Sequence, residues 1–209
     1  MPPPPLEHNA VFLNIPYDEE FKSLYVAYVV GLSLLGLVPH IASEIPGGAR
    51  RLDRILALIQ RCRYSIHDLS RVEVSVVSDS VPRFNMPLEL GMTITWSELY
   101  PDLHTWFVWE SEPYRIQRSA SDLNGTDPCI HHGTVEGVLS ELRSAFWRQD
   151  APQIDEMVDC SRFVQQRLDL GILAKTGGSN PYSKGVFEEL RRLSSRLAWI
   201  LQQTRTRPS

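Results

Sequence analysis

The chain has 209 residues, 43% of them hydrophobic, enough for one substantial core with an appendage. Its 21 Lys+Arg against 25 Asp+Glu give a net charge of -4, so no global basic footprint points to nucleic acid. No apolar run approaches the ~18 residues of a membrane span, and the odd, scattered Cys62, Cys129 and Cys160 suggest reduced thiols rather than disulfides or a zinc site.

The start, Met1-Pro2-Pro3-Pro4-Pro5, lacks the basic and apolar parts of a signal peptide, and a cytoplasmic location is expected. Residues 1–9 read as a disordered, proline-rich tail. Residues 10–15 form a continuous apolar run of strand length, as in a buried parallel strand. Asp18, Glu19 and Glu20 then mark a helix start, and the helix runs through Phe21, Leu24, Tyr25, Tyr28 and Leu32 to stop near Gly36. It is apolar over much of its surface and should be well covered. A second strand is expected over 37–43, where Pro39 suits a sheet edge. A loop with Gly47 and Gly48 leads to a helix over 51–62 and a third strand over 63–67. Residues 71–81 are ambiguous between strand and loop, and are read as an active-site loop.

The stretch from Pro82 to Met92 carries the most information. Pro87 suits a first helical turn, and Leu88, Leu90, Met92, Ile94 and Leu99 recur at helical spacing. Glu89 is then expected in the first turn, where amide ends favour a carboxylate. Gly91 is the odd residue, because an interior glycine costs a helix about 1 kcal/mol relative to alanine. Such a glycine suggests that something approaches the backbone closely. A fourth strand over 104–109, a short helix within 114–123, turn chemistry at 124–128 and a helix over 135–147 complete the alternation.

This order predicts an α/β, flavodoxin-like doubly wound parallel sheet over residues 10–150. Ligands bind such sheets beyond the carboxyl ends of the strands, at the switch in strand order. Asn14 and Asp68 are therefore expected side by side, with Glu89 arriving from the next helix. Residues 151–209 read as a helical extension, with helices over 154–170 and 184–203 joined by a Gly/Ser/Pro linker. The second carries Val186, Phe187, Leu190, Leu193, Leu197 and Ile200 in an apolar stripe. Two roles remain open for it: packing on its own domain, or forming a homo-oligomer through this C-terminal helix.

Residues 11–21, a strand followed by an acidic helix start, resemble the first box of Toll/interleukin-1 receptor (TIR) domains. Asn85-x-x-x-Glu89-Leu90-Gly91 resembles a segment of bacterial TIR-like nucleotide-binding proteins linked to anti-phage defence. It is also similar to the Glu-x-Gly motif of nucleoside 2-deoxyribosyltransferases, where an aspartate closes the preceding strand, as Asp68 does here. Pro82-Arg83-Phe84 stands where that second family carries another aspartate, which weighs against an identical deoxyribosyl transfer.

What both resemblances imply is cleavage of an N-glycosidic bond. Glu89 would stabilise or capture an oxocarbenium-like centre, and Asp68 would orient sugar hydroxyls or protonate the base. Asn14 and Asn85 would position hydroxyls or the base. The implied substrate is a nucleotide, with NAD hydrolysis to nicotinamide and an ADP-ribose product as the leading reading. A nucleoside or nucleotide hydrolase, a deoxyribosyltransferase and a non-catalytic nucleotide-sensing or assembly module are the alternatives. No cofactor and no metal are implied.

Other polar signals are weaker. Ser70 follows Asp68 at the same rim. Arg50 and Arg51, after Gly47-Gly48, would suit a phosphate at a helix start. Asp122 and Asn124 should reach the rim from the fourth strand, although turn chemistry alone accounts for Asn-Gly. Cys129-x-His131-His132 lacks a recognised ligand spacing and reads as a plain loop.

Overall fold

In the computed structural model, residues 5–44, 50–72, 83–174 and 180–206 are described. Of the expected loop at 71–81, residues 73–81 lie outside them, as does Gly47-Gly48. A five-stranded parallel sheet with flanking helices is present, in the order β2-β1-β3-β4-β5. Its strands are β1 (Glu7–Asn14), β2 (Val38–His40), β3 (Cys62–Asp68), β4 (Thr105–Glu110) and β5 (Cys129–Ile130). Each of the pairs β1–β3, β3–β4 and β4–β5 is parallel, with Asn14 level with His67 and Asp68 level with Trp109. This is the doubly wound α/β arrangement expected from the alternation of elements.

Two compact units are distinguished by contacts within the chain: Met1–Pro16 with His40–His132, and Tyr17–Pro39 with Gly133–Ser209. In the first unit, β1 starts at Glu7, so residues 7–9 belong to a strand and not to a tail. Glu7 is held there by Arg61 at 3.2 Å and His40 at 3.4 Å. Ala10, Val11, Phe12 and Leu13 are fully buried, as an interior parallel strand requires. Pro39 lies in β2, an edge strand, where a missing N–H interrupts no ladder. Helix α2 (Arg51–Arg61) buries Ile55, Leu58 and Ile59 with Ala10 and Phe12, and Met92 and Trp96 of α3 (Asn85–Leu99) pack on that cluster. Met86 and Leu90 of α3 join a second cluster with Val108 of β4 and Ile116 of α4 (Arg115–Ser119).

The second unit is helical. Helix α1 (Lys22–Leu34) is buried from Leu24 to Leu34, which is why its sequence is apolar all round. It contacts α5 (Val135–Ala145), α6 (Ile154–Asp169) and α7 (Lys184–Thr206). Gly31 is where α5 comes closest. A Cβ there would lie 2.6 Å from Leu142 Cδ1 and 2.8 Å from Leu139 Cδ2. Gly36, at φ +77, ends α1 with a Schellman pair, Leu37 N–H to Leu32 C=O and Gly36 N–H to Ser33 C=O. In α7, Val186, Phe187 and Leu190 are buried within this unit, while Trp199 and Ile200 are exposed.

Candidate functional site

Helix α3 begins at Asn85, two residues earlier than Pro87 suggested. Pro87 is its third residue, still among the amides with no intrahelical partner. Glu89 is therefore the fifth residue, and no acidic side chain lies in the first turn. The expected stabilisation of Glu89 by the helix start is thus corrected. Burial governs it instead: the side chain is 4% exposed, and loss of solvent pushes its pKa up to about 7. Arg51 and a hydrogen bond with Asn85 pull the other way. Arg51 Nη2 lies 3.9 Å from Glu89 Oε1, and that oxygen has no hydrogen-bond partner among the described residues. Three sequence candidates thus meet: Glu89, Asn85 and Arg51.

Asn14, at the end of β1, is hydrogen-bonded through its amide nitrogen to two other elements of the fold. Its amide nitrogen donates to Met86 C=O at 3.0 Å, on the first turn of α3, and to His67 Nδ1 at 3.0 Å. With Nδ1 accepting, the His67 proton sits on Nε2 and is donated to Ser65 Oγ at 3.0 Å. Ser65 then donates to His104 Nε2 at 2.9 Å, and His104 Nδ1–H donates to Cys62 C=O at 2.8 Å. Every member of this chain is buried and neutral. Burial, then the neighbouring His104, lowers the His67 pKa to about 3, and burial likewise lowers that of His104. Asn14 thus gives one amide hydrogen to α3 and the other to β3.

Asp68 closes β3 and is fully buried. Its Oδ1 accepts from Ser70 N–H at 3.0 Å, and its Oδ2 lies 3.2 Å from His131 Nε2. Ser70, also buried, therefore serves this turn through its backbone. His131 follows the two-residue strand β5, where its N–H donates to Glu110 C=O at 3.0 Å. Glu110 closes β4, is 1% exposed and has its pKa pushed up to about 7, by burial first and by the Asp68 charge in addition. Arg115 at 3.9 Å and the Ser111 N–H at 3.1 Å offset part of that rise. The two described non-glycine residues with positive φ, Tyr114 and His132, adjoin Arg115 and His131.

His131 and Glu110 escaped the sequence reading. His131 was weighed only as a metal ligand in a loop, because a strand as short as Cys129–Ile130 leaves no periodic trace. Glu110 did carry a signal: like Asp68, it is the acid that ends a buried parallel strand. The remaining candidates stand apart. Arg50 is exposed and precedes α2 without a side-chain cap, and Asp122 and Asn124 are exposed around a short 3₁₀ turn. Among the described residues, no group of three or more His, Cys, Asp or Glu is arranged to hold a metal ion, and no helix is long and apolar enough to cross a membrane. Comparison with protein-family models, curated proteins and solved structures found no match.

Proposed function

We propose that this chain cleaves the N-glycosidic bond of a nucleotide, with NAD as substrate and nicotinamide and an ADP-ribose product released. The observation that carries the reading is Glu89: a buried carboxylate with one oxygen unpartnered, 3.9 Å from a guanidinium that reaches solvent. A desolvated carboxylate favours a neighbouring cation, and cleavage of this bond generates one at the anomeric carbon. The bonding pair leaves with the base nitrogen. Water, or Glu89 followed by water, then attacks that carbon and releases a proton. The Arg51 guanidinium suits a ligand phosphate.

The choice of NAD is supported by Asp68. It is fully buried, with Oδ1 accepting from Ser70 N–H and Oδ2 facing His131, a setting that does not favour proton delivery to a departing base. Nicotinamide leaves from a cationic pyridinium and needs no proton, unlike the base of an ordinary nucleoside. The resemblance to TIR-like proteins supports the same substrate, a cytoplasmic setting and a role in anti-phage defence. Assembly through the C-terminal helix would have only the Ile200 end of its stripe, with the neighbouring Trp199, exposed for contact.

The test is chromatography of NAD, AMP, CMP and free nucleosides incubated with the protein at high and low concentration. Nicotinamide release should fall about 10²–10³-fold in Glu89→Gln, which keeps the shape but not the charge. In the wild type it should rise with pH through about 7 as Glu89 ionises. Base release from a monophosphate alone would reassign the chain to nucleotide hydrolysis. Binding without turnover would make it a sensor.

A further inference from the structure

Gly91 lies in the interior of α3 with no packing reason of its own. A Cβ built on it meets nothing within 4 Å among the described residues, where alanine would favour the helix by about 1 kcal/mol. The close approach expected from the sequence is thus made by none of the described residues. On the same stripe, at spacings of four, three, four and four, stand Phe84, Leu88, Gly91, Thr95 and Leu99. The large members are unusually open: Phe84 is 69%, Leu88 58% and Leu99 68% exposed. Thr95 turns its hydroxyl onto Gly91 C=O at 2.9 Å, so its methyl is the group left for an apolar contact. Leu52 and Leu56 are also exposed on α2, which packs beside α3.

We propose that this face of α3 is an interface with a second copy of this chain. The order large–small–small–large over Leu88, Gly91, Thr95 and Leu99, spaced by three, four and four, is symmetric to within one residue about Thr93. An antiparallel copy related by a two-fold axis at that level sets Leu88 against Leu99 of the second copy and Gly91 against its Thr95. That is the reciprocity an isologous contact requires, and an unrelated partner would not require it. Gly91 and Thr95 then form the notch in which the two helix backbones cross closely, and the antiparallel macrodipoles attract. At ~200 Å² for a large apolar side chain, the five exposed residues offer roughly 500 Å² per copy, or about 1,000 Å² per pair, where specific interfaces begin.

The measurement is the mass of the full chain by sedimentation and light scattering across concentration. The wild type should rise from 23.8 kDa toward twice that value. Leu88→Glu and Gly91→Leu should each weaken association at least tenfold, the second despite a helix that gains intrinsic propensity. Trp199→Glu should leave association unchanged. A Gly91→Cys/Thr95→Cys double variant should give a disulfide-linked pair on mild oxidation. A wild-type mass fixed at one copy would overturn the proposal. So would a pair indifferent to both α3 variants, or one dissociated by Trp199→Glu alone.

Discussion

The two compact units bury very different kinds of polar group. In the unit formed by Met1–Pro16 and His40–His132, the buried polar residues include His40, His67, Asp68, Glu89, His104, Glu110 and His131. In the unit formed by Tyr17–Pro39 and Gly133–Ser209, those described are Ser33, Ser161 and Ser194. Two of these merely return their hydroxyls to their own helix, Ser33 to Val29 C=O and Ser194 to Leu190 C=O, each at 2.8 Å. Burying an ionisable group is costly unless partners are supplied, whereas a helical serine carries its acceptor with it. Seven such groups lie in one unit, where each needs partners from other elements, while the buried polar groups described in the other unit are serines.

The contrast can be broken most severely at His131. Replacing it by alanine leaves Asp68 Oδ2 without its imidazole and opens a cavity. A loss of about 3 kcal/mol in denaturant unfolding is expected. Asn14→Ala should cost about 2 kcal/mol, since the hydrogen bonds to Met86 C=O and His67 go together. Because that link ties α3 to the sheet, the variant should also lose turnover at saturating substrate, with Glu89 intact.

A finer probe is pH. The Glu110 pKa is raised in the folded state to about 7 from its ordinary value of 4.5. The stability this shift contributes is present in full below the unfolded pKa and is lost as pH rises through about 7. Glu110→Gln, which does not titrate, should therefore gain on the wild type between pH 5 and pH 8, by on the order of 2 kcal/mol. Parallel unfolding curves at the two pH values check this; a constant difference would mean that Glu110 of the folded protein is already ionised at pH 5, as in the unfolded chain. At the other extreme, Ser194→Ala in the packing unit should change unfolding free energy by less than about 0.5 kcal/mol at either pH.

How far the sequence could be read follows from the same contrast. Long periodic segments declared themselves: α1 by its unbroken apolar run, α7 by its stripe, β1 and β3 by their buried character. Helix starts were displaced where capping was indirect, as at α3, whose preceding residue Phe84 makes no side-chain cap bond. Asn85 and Glu89 could be placed together because helical neighbours have local spacing, whereas the approach of Arg51 from α2 to within 3.9 Å of Glu89 depends on how the two helices pack. The Asp68–His131 pair was not, because the two residues are 63 positions apart and meet only once β3, β4 and β5 lie in register. Asn14 was found for its place at a strand end, but its task depends on which partners reach it. A strand-end asparagine looks the same in sequence whether it holds a ligand or a helix.

Both margins of the sheet are blunt. One is β2, three residues long with Pro39 at its centre; the other is β5, two residues long. A proline offers no N–H to an incoming strand, and two residues give too short a ladder to template one. The apolar strands β1, β3 and β4 are all interior to the sheet. Aggregation by edge-to-edge strand addition is therefore disfavoured while the sheet is folded, and conditions that fray β2 or β5 should be those under which the protein precipitates.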